Sequence, residues 1–195
     1  MKGYAHSREE LPEGYTLSMT VDLLQNRKQM LMVNGLALAI ALIMVLVGLG
    51  ICPIAGLFSL KEGLRAYCLR FAVLAAGSVV YIFAHEWVHG VAMRYYSPIK
   101  PTFGFSGMYA YAGSTAYFDR SSYLVIAMAP VVIWGAVLMV LHLIVPESWF
   151  WVVYIIQISN ISGAAGDFYV TVRFMRMKEI LVQDSGTSMR VYERR

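Results

Sequence analysis

Charged side chains are scarce in this chain of 195 residues. Only 14% of the residues are Asp, Glu, Lys or Arg, whereas 58% are hydrophobic and the mean hydropathy is +0.59. A soluble domain has about a quarter of its residues charged. Several uninterrupted apolar runs approach or exceed the roughly 18 residues that cross a bilayer. The composition therefore excludes an ordinary soluble domain and predicts an integral membrane protein.

Cysteine is nearly absent as well, with only Cys52 and Cys68 and no Cys-x-x-Cys pair. Two thiols do not make a metal cage by themselves. A disulfide between them requires an oxidising compartment. We expect two reduced cysteines that serve as small packing residues.

No small-residue cleavage site follows the first apolar run, which comes after about thirty mostly polar residues. We therefore expect a retained anchor and not a cleaved signal peptide. The apolar runs predict an all-α membrane protein, a bundle of four transmembrane helices at roughly 31–51, 71–93, 122–145 and 149–170. The corresponding divisions are a cytoplasmic N-terminal segment at 1–29, a transmembrane domain at 30–175 and a cytoplasmic C-terminal tail at 176–195.

The basic residues cluster at the ends of the apolar runs. With the N-terminus inside, 3 of the 16 Lys and Arg residues fall on the outer side, namely Lys61, Arg65 and Arg70. This strong bias predicts that both termini are cytoplasmic. The orientation of the chain in the membrane, with its basic residues on the cytoplasmic side, thus explains the excess of basic over acidic residues. We expect membrane lipids as surroundings and no nucleic-acid partner.

The connection between the second and third apolar runs, residues 97–121, is too rich in glycine and aromatic residues for a helix. In PTFGFSGMYAYAGSTAYF, aromatic residues alternate with small ones in the period of two that is typical of a strand. The pattern predicts a β-hairpin or a re-entrant loop at the cytoplasmic face. In the tail, ILVQDSGTSMRVY predicts a second small hairpin around Asp184, Ser185 and Gly186.

Ionisable residues are rare inside the predicted spans. The acidic ones are Glu86 and Asp167, and the histidines are His85, His89 and His142. Each charge in a membrane helix costs ~2.5–3.5 kcal/mol, so residues of this kind are functional candidates. His142 stands alone near the outer end of its span, and we interpret it as structural or interfacial.

His85 and His89 are four residues apart, which places them on one face of a helix, about 40° apart and one turn along. That spacing allows both to bind one metal ion. Glu86 is rotated by about 100°, so it can act on a water molecule beside the metal without being a ligand. Together these residues form the H-E-x-x-H pattern of zinc hydrolases. The alternative, that they only join neighbouring spans by hydrogen bonds, is less favoured for the full pattern than for a lone histidine.

A catalytic zinc ion usually has three protein ligands, and Asp167 is the other acid inside a span. His89 lies five residues before Arg94, and Asp167 lies six residues before Arg173. These separations are roughly 7–8 Å and 9 Å of helix, so both side chains should lie at a similar depth. Asn160, seven residues before Asp167, shares its helical face and is a candidate for binding substrate. Alternatively, Asn160 forms a hydrogen bond that holds a metal ligand, or it joins two helices.

The sequence HEWVHG in a membrane helix, a glycine-rich hairpin, one more span and then SGAAGDFY resemble the putative zincin peptidase family of bacterial membrane proteins. That family is in turn distantly similar to the site-2 proteases, which are intramembrane zinc proteases. The resemblance covers roughly residues 65–175. It implies a bacterial cell membrane, a Zn²⁺ cofactor held by His85, His89 and Asp167, and Glu86 as the base that activates water.

The resemblance also implies that the hairpin at 103–118 binds an extended substrate as an added strand. Asn160 resembles an asparagine that precedes the aspartate in site-2 proteases. The chain departs from their pattern because it lacks the proline-containing Asn-x-x-Pro signature and has Phe168 where glycine commonly follows the aspartate. We also expect no PDZ domain within these residues.

Two functions follow from these residues. The first is a zinc metalloendopeptidase that cleaves membrane-associated protein or peptide substrates. The second is a non-catalytic protein stabilised by the same metal, acting as a scaffold, a sensor or a binding protein. A transporter is a weak third hypothesis, because no chain of polar residues crosses the predicted spans.

Overall fold

The computed structural model describes residues 6–107 and 109–194. The helices are α1 (Arg27–Ile51), α2 (Leu64–Tyr96), α3 (Arg120–Ile144), α4 (Phe150–Gly163) and α5 (Ala165–Met175), with short 3₁₀ turns at Ile54–Gly56 and Glu147–Trp149. The strands are β1 (Ser7–Arg8), β2 (Tyr15–Val21), β3 (Thr102–Phe105), β4 (Ala110–Gly113), β5 (Tyr117–Asp119), β6 (Ile180–Asp184) and β7 (Met189–Arg194).

The chain divides into two compact units. The first comprises the described residues up to Val33, Glu86–Pro130 and the residues from Gly166 onward. The second comprises Asn34–His85 and Val131–Ala165. Helices α2 and α3 each continue from one unit into the other.

Among the described residues, three helices are long and apolar enough to cross a membrane, namely α1, α2 and α3. Their large apolar side chains are mostly exposed. Leu46 is 70% exposed, Val80 65% and Leu143 80%. An apolar surface of this extent is stable in lipid and not in water. The three helices therefore fit a membrane protein.

The prediction of a fourth spanning helix at 149–170 is wrong. The helix stops at Gly163 and a new one starts at Ala165, which leaves α4 with 14 residues and α5 with 11. Neither reaches the length needed to cross a bilayer. The break lies at Ala164, which has φ −80° and ψ 15°, next to glycines that favour helix poorly. Hydropathy measures apolar character and does not detect such an interruption.

The prediction of an all-α fold is also wrong, because the first unit contains a five-stranded antiparallel sheet in the order β1-β5-β6-β7-β2. Its longest pairing joins β2 to β7, from Tyr15 opposite Arg194 to Val21 opposite Met189. The predicted hairpin in the tail is confirmed by the pairing of β6 with β7. Strand β2 was missed because its segment was interpreted only as polar, although YTLSMTV alternates with a period of two.

A separate two-stranded hairpin, β3 with β4, occupies the connection between α2 and α3. It lies where the sequence predicts a hairpin or a re-entrant loop. In its register Phe103 stands opposite Ala112 and Gly104 opposite Tyr111. This hairpin belongs to the first unit, together with the motif-bearing end of α2.

The core of the first unit packs the sheet against the ends of α2, α3 and α5. Its fully buried residues include Phe118, Phe174 and Val182. Asp119 caps α3, because its Oδ1 accepts hydrogen bonds from Ser122 N at 2.8 Å and Ser121 Oγ at 2.9 Å. Burial alone would raise the pKa of Asp119, but these hydrogen bonds and one from His6 lower it. The cap fixes the start of α3.

The second unit is held by aromatic side chains of α4. Trp151 is 2% exposed, and its Nε1 donates to Cys52 O at 3.1 Å. The Tyr154 hydroxyl donates to Met44 O at 2.8 Å. Cys52 is buried, Cys68 is exposed, and both are free thiols. These contacts tie α4 to α1.

Candidate metal centre

The motif residues lie on the second half of α2, which is one continuous helix of 33 residues. His85 is 9% exposed, and the side chain of His89 is 12% exposed. Tyr81 precedes His85 by four residues, so Tyr81, His85 and His89 follow one another along one face of the helix. The face that the motif predicts is therefore largely shielded in the structure.

His89 is fixed by the backbone of α3. Its Nδ1 lies 2.9 Å from the carbonyl oxygen of Ile126. A carbonyl oxygen only accepts hydrogen bonds, so Nδ1 must carry the proton. The neutral ring then has its lone pair on Nε2, which is the atom available to a metal ion.

Asp167, near the start of α5, lies beside His89. Its Oδ1 is 3.6 Å from His89 Nε2, a distance at which a protonated ring forms an ion pair with the carboxylate. Two ligands held at 2.0–2.1 Å by one tetrahedral zinc ion stand about 3.3–3.4 Å apart. The spacing of Nε2 and Oδ1 thus suits two ligands of a shared cation.

His85, His89 and Asp167 each offer one ligand atom, and these atoms all lie within 4.8 Å of one another. Two imidazoles and a carboxylate form a donor set that is common in catalytic zinc sites. The residues present therefore fit a zinc ion. Their role as ligands stays a prediction.

His85 is fixed by a chain of hydrogen bonds in the second unit. Asn160 is 0% exposed, and its Nδ2 donates to Val131 O at 3.3 Å, so its Oδ1 must point the other way. That Oδ1 accepts from the Tyr81 hydroxyl at 2.9 Å. Since Tyr81 has given its only proton to Asn160, its oxygen accepts from His85 Nδ1 at 2.8 Å. His85 therefore also has its lone pair on Nε2.

Glu86 contacts the β3–β4 hairpin. Its Oε2 accepts a hydrogen bond from Ala112 N at 2.9 Å. On the next turn of α2, a Cβ on Gly90 would clash with the ring of Phe103. The glycine after His89 thus leaves room for the Phe103 ring beside the helix. The two contacts hold the hairpin against HEWVHG.

Residues 78–182 match the sequence model of the putative zincin peptidase family, and the match covers more than half of the chain. The chain belongs to this family. The name of the putative zincin peptidase family suggests a metallopeptidase and implies dependence on zinc. No curated protein and no solved structure matches the chain.

The part that matches the putative zincin peptidase family contains all four residues of the predicted centre, together with Asn160. The structure brings His85, His89 and Asp167 together, and places Glu86 on the same helix. Asn160 contacts Tyr81 and Val131 instead of projecting into open space. Its role in binding substrate stays a prediction. His142 packs against Phe150 and Tyr154 and is not one of the three clustered residues.

The groups that support the two histidines are not among the residues predicted from the sequence. Tyr81 had a signal, because it lies four residues before His85 and so on the same helical face. The partner of His89 is a backbone carbonyl, which no residue type reveals directly. The buried pair of Tyr123 and Asp184, with Tyr123 Oη 2.6 Å from Oδ2, was also missed. Burial raises the pKa of Asp184, against the lowering effect of hydrogen bonds from Tyr123 and Gly186.

Proposed function

We propose that this chain is a zinc-dependent intramembrane peptidase, distantly similar to the site-2 proteases. The proposal rests on one observation above all. His85, His89 and Asp167 bring ligand atoms within 4.8 Å of one another, and both histidines belong to a helix apolar enough to cross a membrane. Membership of the putative zincin peptidase family supports the same chemistry.

The three ligands would hold a zinc ion, which supplies Lewis-acid polarisation of a peptide carbonyl and makes water more acidic. Glu86 takes the proton from the attacking water and later passes it to the leaving amine. The hydrogen bond from Ala112 N limits the positions that the Glu86 carboxylate can adopt. His85 and His89 keep their Nδ1 protons on fixed acceptors. With both Nε2 lone pairs bound to the metal, neither ring would compete with Glu86 for the proton of the water.

We propose that the substrate is a membrane-associated protein or peptide, bound in extended form along the β3–β4 hairpin. In this register Ala112 and Phe103 face each other as a pair, and Ala112 N points away from β3 toward Glu86. The outer edge of β4 therefore faces the proposed base. A substrate helix must unwind locally before cleavage, because an intact helix keeps its carbonyls in hydrogen bonds.

We further propose that the protein resides in a bacterial cell membrane with both terminal segments cytoplasmic. Strands β2 and β7 pair, so the two terminal segments share one side of the membrane. Most of the basic residues, which favour the cytoplasmic side, belong to the unit that contains this sheet.

The zinc content of the purified full chain tests the proposed function. We expect about one zinc ion per chain for the wild type and a large loss in His85→Ala, because two ligands hold zinc far less tightly than three. His142→Ala is the matched control, since it removes an imidazole that packs on Phe150. Wild-type protein without stoichiometric zinc would contradict the proposal.

One observation favours the second function, a non-catalytic metal-stabilised scaffold, sensor or binding protein. Glu86 accepts a hydrogen bond from Ala112 N, so this carboxylate also has a structural use that does not require catalysis. Such a protein needs the same three ligands but no base. Substitution of Glu86 therefore separates the two functions.

Tyr81→Phe should weaken zinc binding by about 10–100-fold, the usual effect of losing the group that holds a histidine ligand. The substitution removes the oxygen that accepts the Nδ1 proton of His85, so the ring is free to rotate or change tautomer. Chelator competition measures the affinity. Tyr154→Phe is the control, because it deletes a hydroxyl that bonds Met44 O in the same unit. Equal affinity in both variants would show that Tyr81 does not hold the ligand.

A further inference from the structure

Helix α3 contains a proline in its interior, Pro130. Proline has no backbone N–H, so the carbonyl four residues earlier has no donor within the helix, and the ring pushes that carbonyl aside. The affected carbonyl belongs to Ile126, which is 1% exposed. A buried carbonyl without a partner is unfavourable, and more so in lipid. Ile126 therefore needs a donor from outside α3.

The donor is His89. Its Nδ1 lies 2.9 Å from the Ile126 oxygen. The carbonyl that Pro130 leaves without a donor in α3 is therefore the one that His89 contacts. A shift of Pro130 by one residue would free a different carbonyl, on another side of the helix. The position of Pro130 in α3 thus frees the carbonyl that lies next to His89.

We propose that Pro130 is a positioning residue for the zinc site. It keeps the Ile126 carbonyl free of the helix, and that carbonyl holds the proton of His89 on Nδ1 and the lone pair on Nε2. The Nε2 atom then lies 3.6 Å from Asp167 Oδ1. This role rests on the proposed function, and Pro130 itself touches neither substrate nor metal.

A proline that only bends α3 leads to a different expectation. Pro130→Ala restores an N–H that can bond Ile126 O, so it should stabilise the helix in either case. If the proline only bends the helix, the zinc affinity of Pro130→Ala stays at the wild-type level or increases together with the stability of the helix. If Pro130 positions His89, zinc binding falls while the helix becomes more stable. The opposite signs separate the two roles.

The test uses the full chain in detergent. Chelator competition should show zinc affinity about 10-fold weaker in Pro130→Ala, the lower end of the usual range, because a carbonyl has two lone pairs and can still accept from His89. Pro146→Ala is the control, since it changes a proline before the 3₁₀ turn Glu147–Trp149. An unchanged affinity in Pro130→Ala would overturn the role of Pro130.

The ¹⁵N signals of the His89 ring provide a second measurement that needs neither metal nor activity. At a pH high enough to keep the ring neutral, we expect the proton on Nδ1 in the metal-free wild type and a larger share on Nε2 in Pro130→Ala. A neutral wild-type ring with its proton on Nε2 would overturn the role even if Pro130→Ala failed to fold. Wild-type protein that binds no zinc would instead contradict the proposed function, and the ring signals would still test Pro130.

Discussion

Glu86→Gln should lower peptide hydrolysis by about 10²–10⁴-fold, the usual contribution of a general base, while zinc content stays at the wild-type level. Glutamine has the size of glutamate and its amide oxygen can still accept from Ala112 N, so the hairpin keeps its contact with α2. The amide cannot take a proton from water at neutral pH. The substitution therefore removes the proton transfer and preserves the structure.

The measurement compares membranes of cells that produce wild type or Glu86→Gln and searches for full-length membrane proteins that accumulate in the variant. Glu147→Gln is the control, because it makes the same chemical change in a 3₁₀ turn of the second unit. Accumulation in Glu86→Gln alone supports the peptidase. Identical membrane proteins in both strains, with zinc bound, would favour the scaffold or sensor.

The centre of the site could be predicted because its signals are local. His85, Glu86 and His89 lie within five residues on one helix, and the cost of placing them in lipid makes coincidence less plausible. Asp167 is predicted less directly, from its distance along the helix to Arg173 compared with the distance from His89 to Arg94. The structure places its Oδ1 3.6 Å from His89 Nε2, which is the proximity that a similar depth permits.

The supporting groups were harder to predict because they depend on contacts between elements. His89 is held by a backbone carbonyl on α3, and a sequence does not show which carbonyl lies near which ring. A proline inside an apolar helix does show where a carbonyl is free, since that carbonyl is always four residues earlier. Pro130 therefore carried a usable signal for Ile126. The same reasoning applies to prolines in other membrane helices that face a histidine.

The sheet could not be predicted from apolar runs. Its strands come from both ends of the chain and, in β5, from its middle, and Tyr15 pairs with Arg194 across almost the whole sequence. Hydropathy averages over long windows, which suits helices of about 20 residues and conceals strands of five to seven. The break at Ala164 could not be predicted for a different reason, because the hydropathy of a segment does not reveal a change in its backbone angles.

Asp167→Ala should weaken zinc binding by more than about 100-fold, which exceeds the usual loss when only a supporting partner of a ligand is removed. The substitution leaves two neutral imidazoles and removes the negative charge, so both coordination and charge balance are lost. Asp167→Asn should give an intermediate loss, because an amide oxygen is a weaker ligand than a carboxylate. Chelator competition on the purified chain measures all three affinities.

Asp119→Ala controls for general destabilisation. It removes the cap of α3 and should lower the free energy of unfolding by about 0.5–2 kcal/mol, yet Asp119 is not one of the three clustered residues. We therefore expect a lower thermal midpoint and wild-type zinc affinity.

If Asp167→Ala also kept wild-type affinity, the third ligand would have to be another group, and His89 would face Asp167 for a reason other than zinc. If both variants lost zinc equally, the loss in Asp167→Ala would reflect stability. Only a selective loss in Asp167→Ala identifies the carboxylate as the ligand that completes the site.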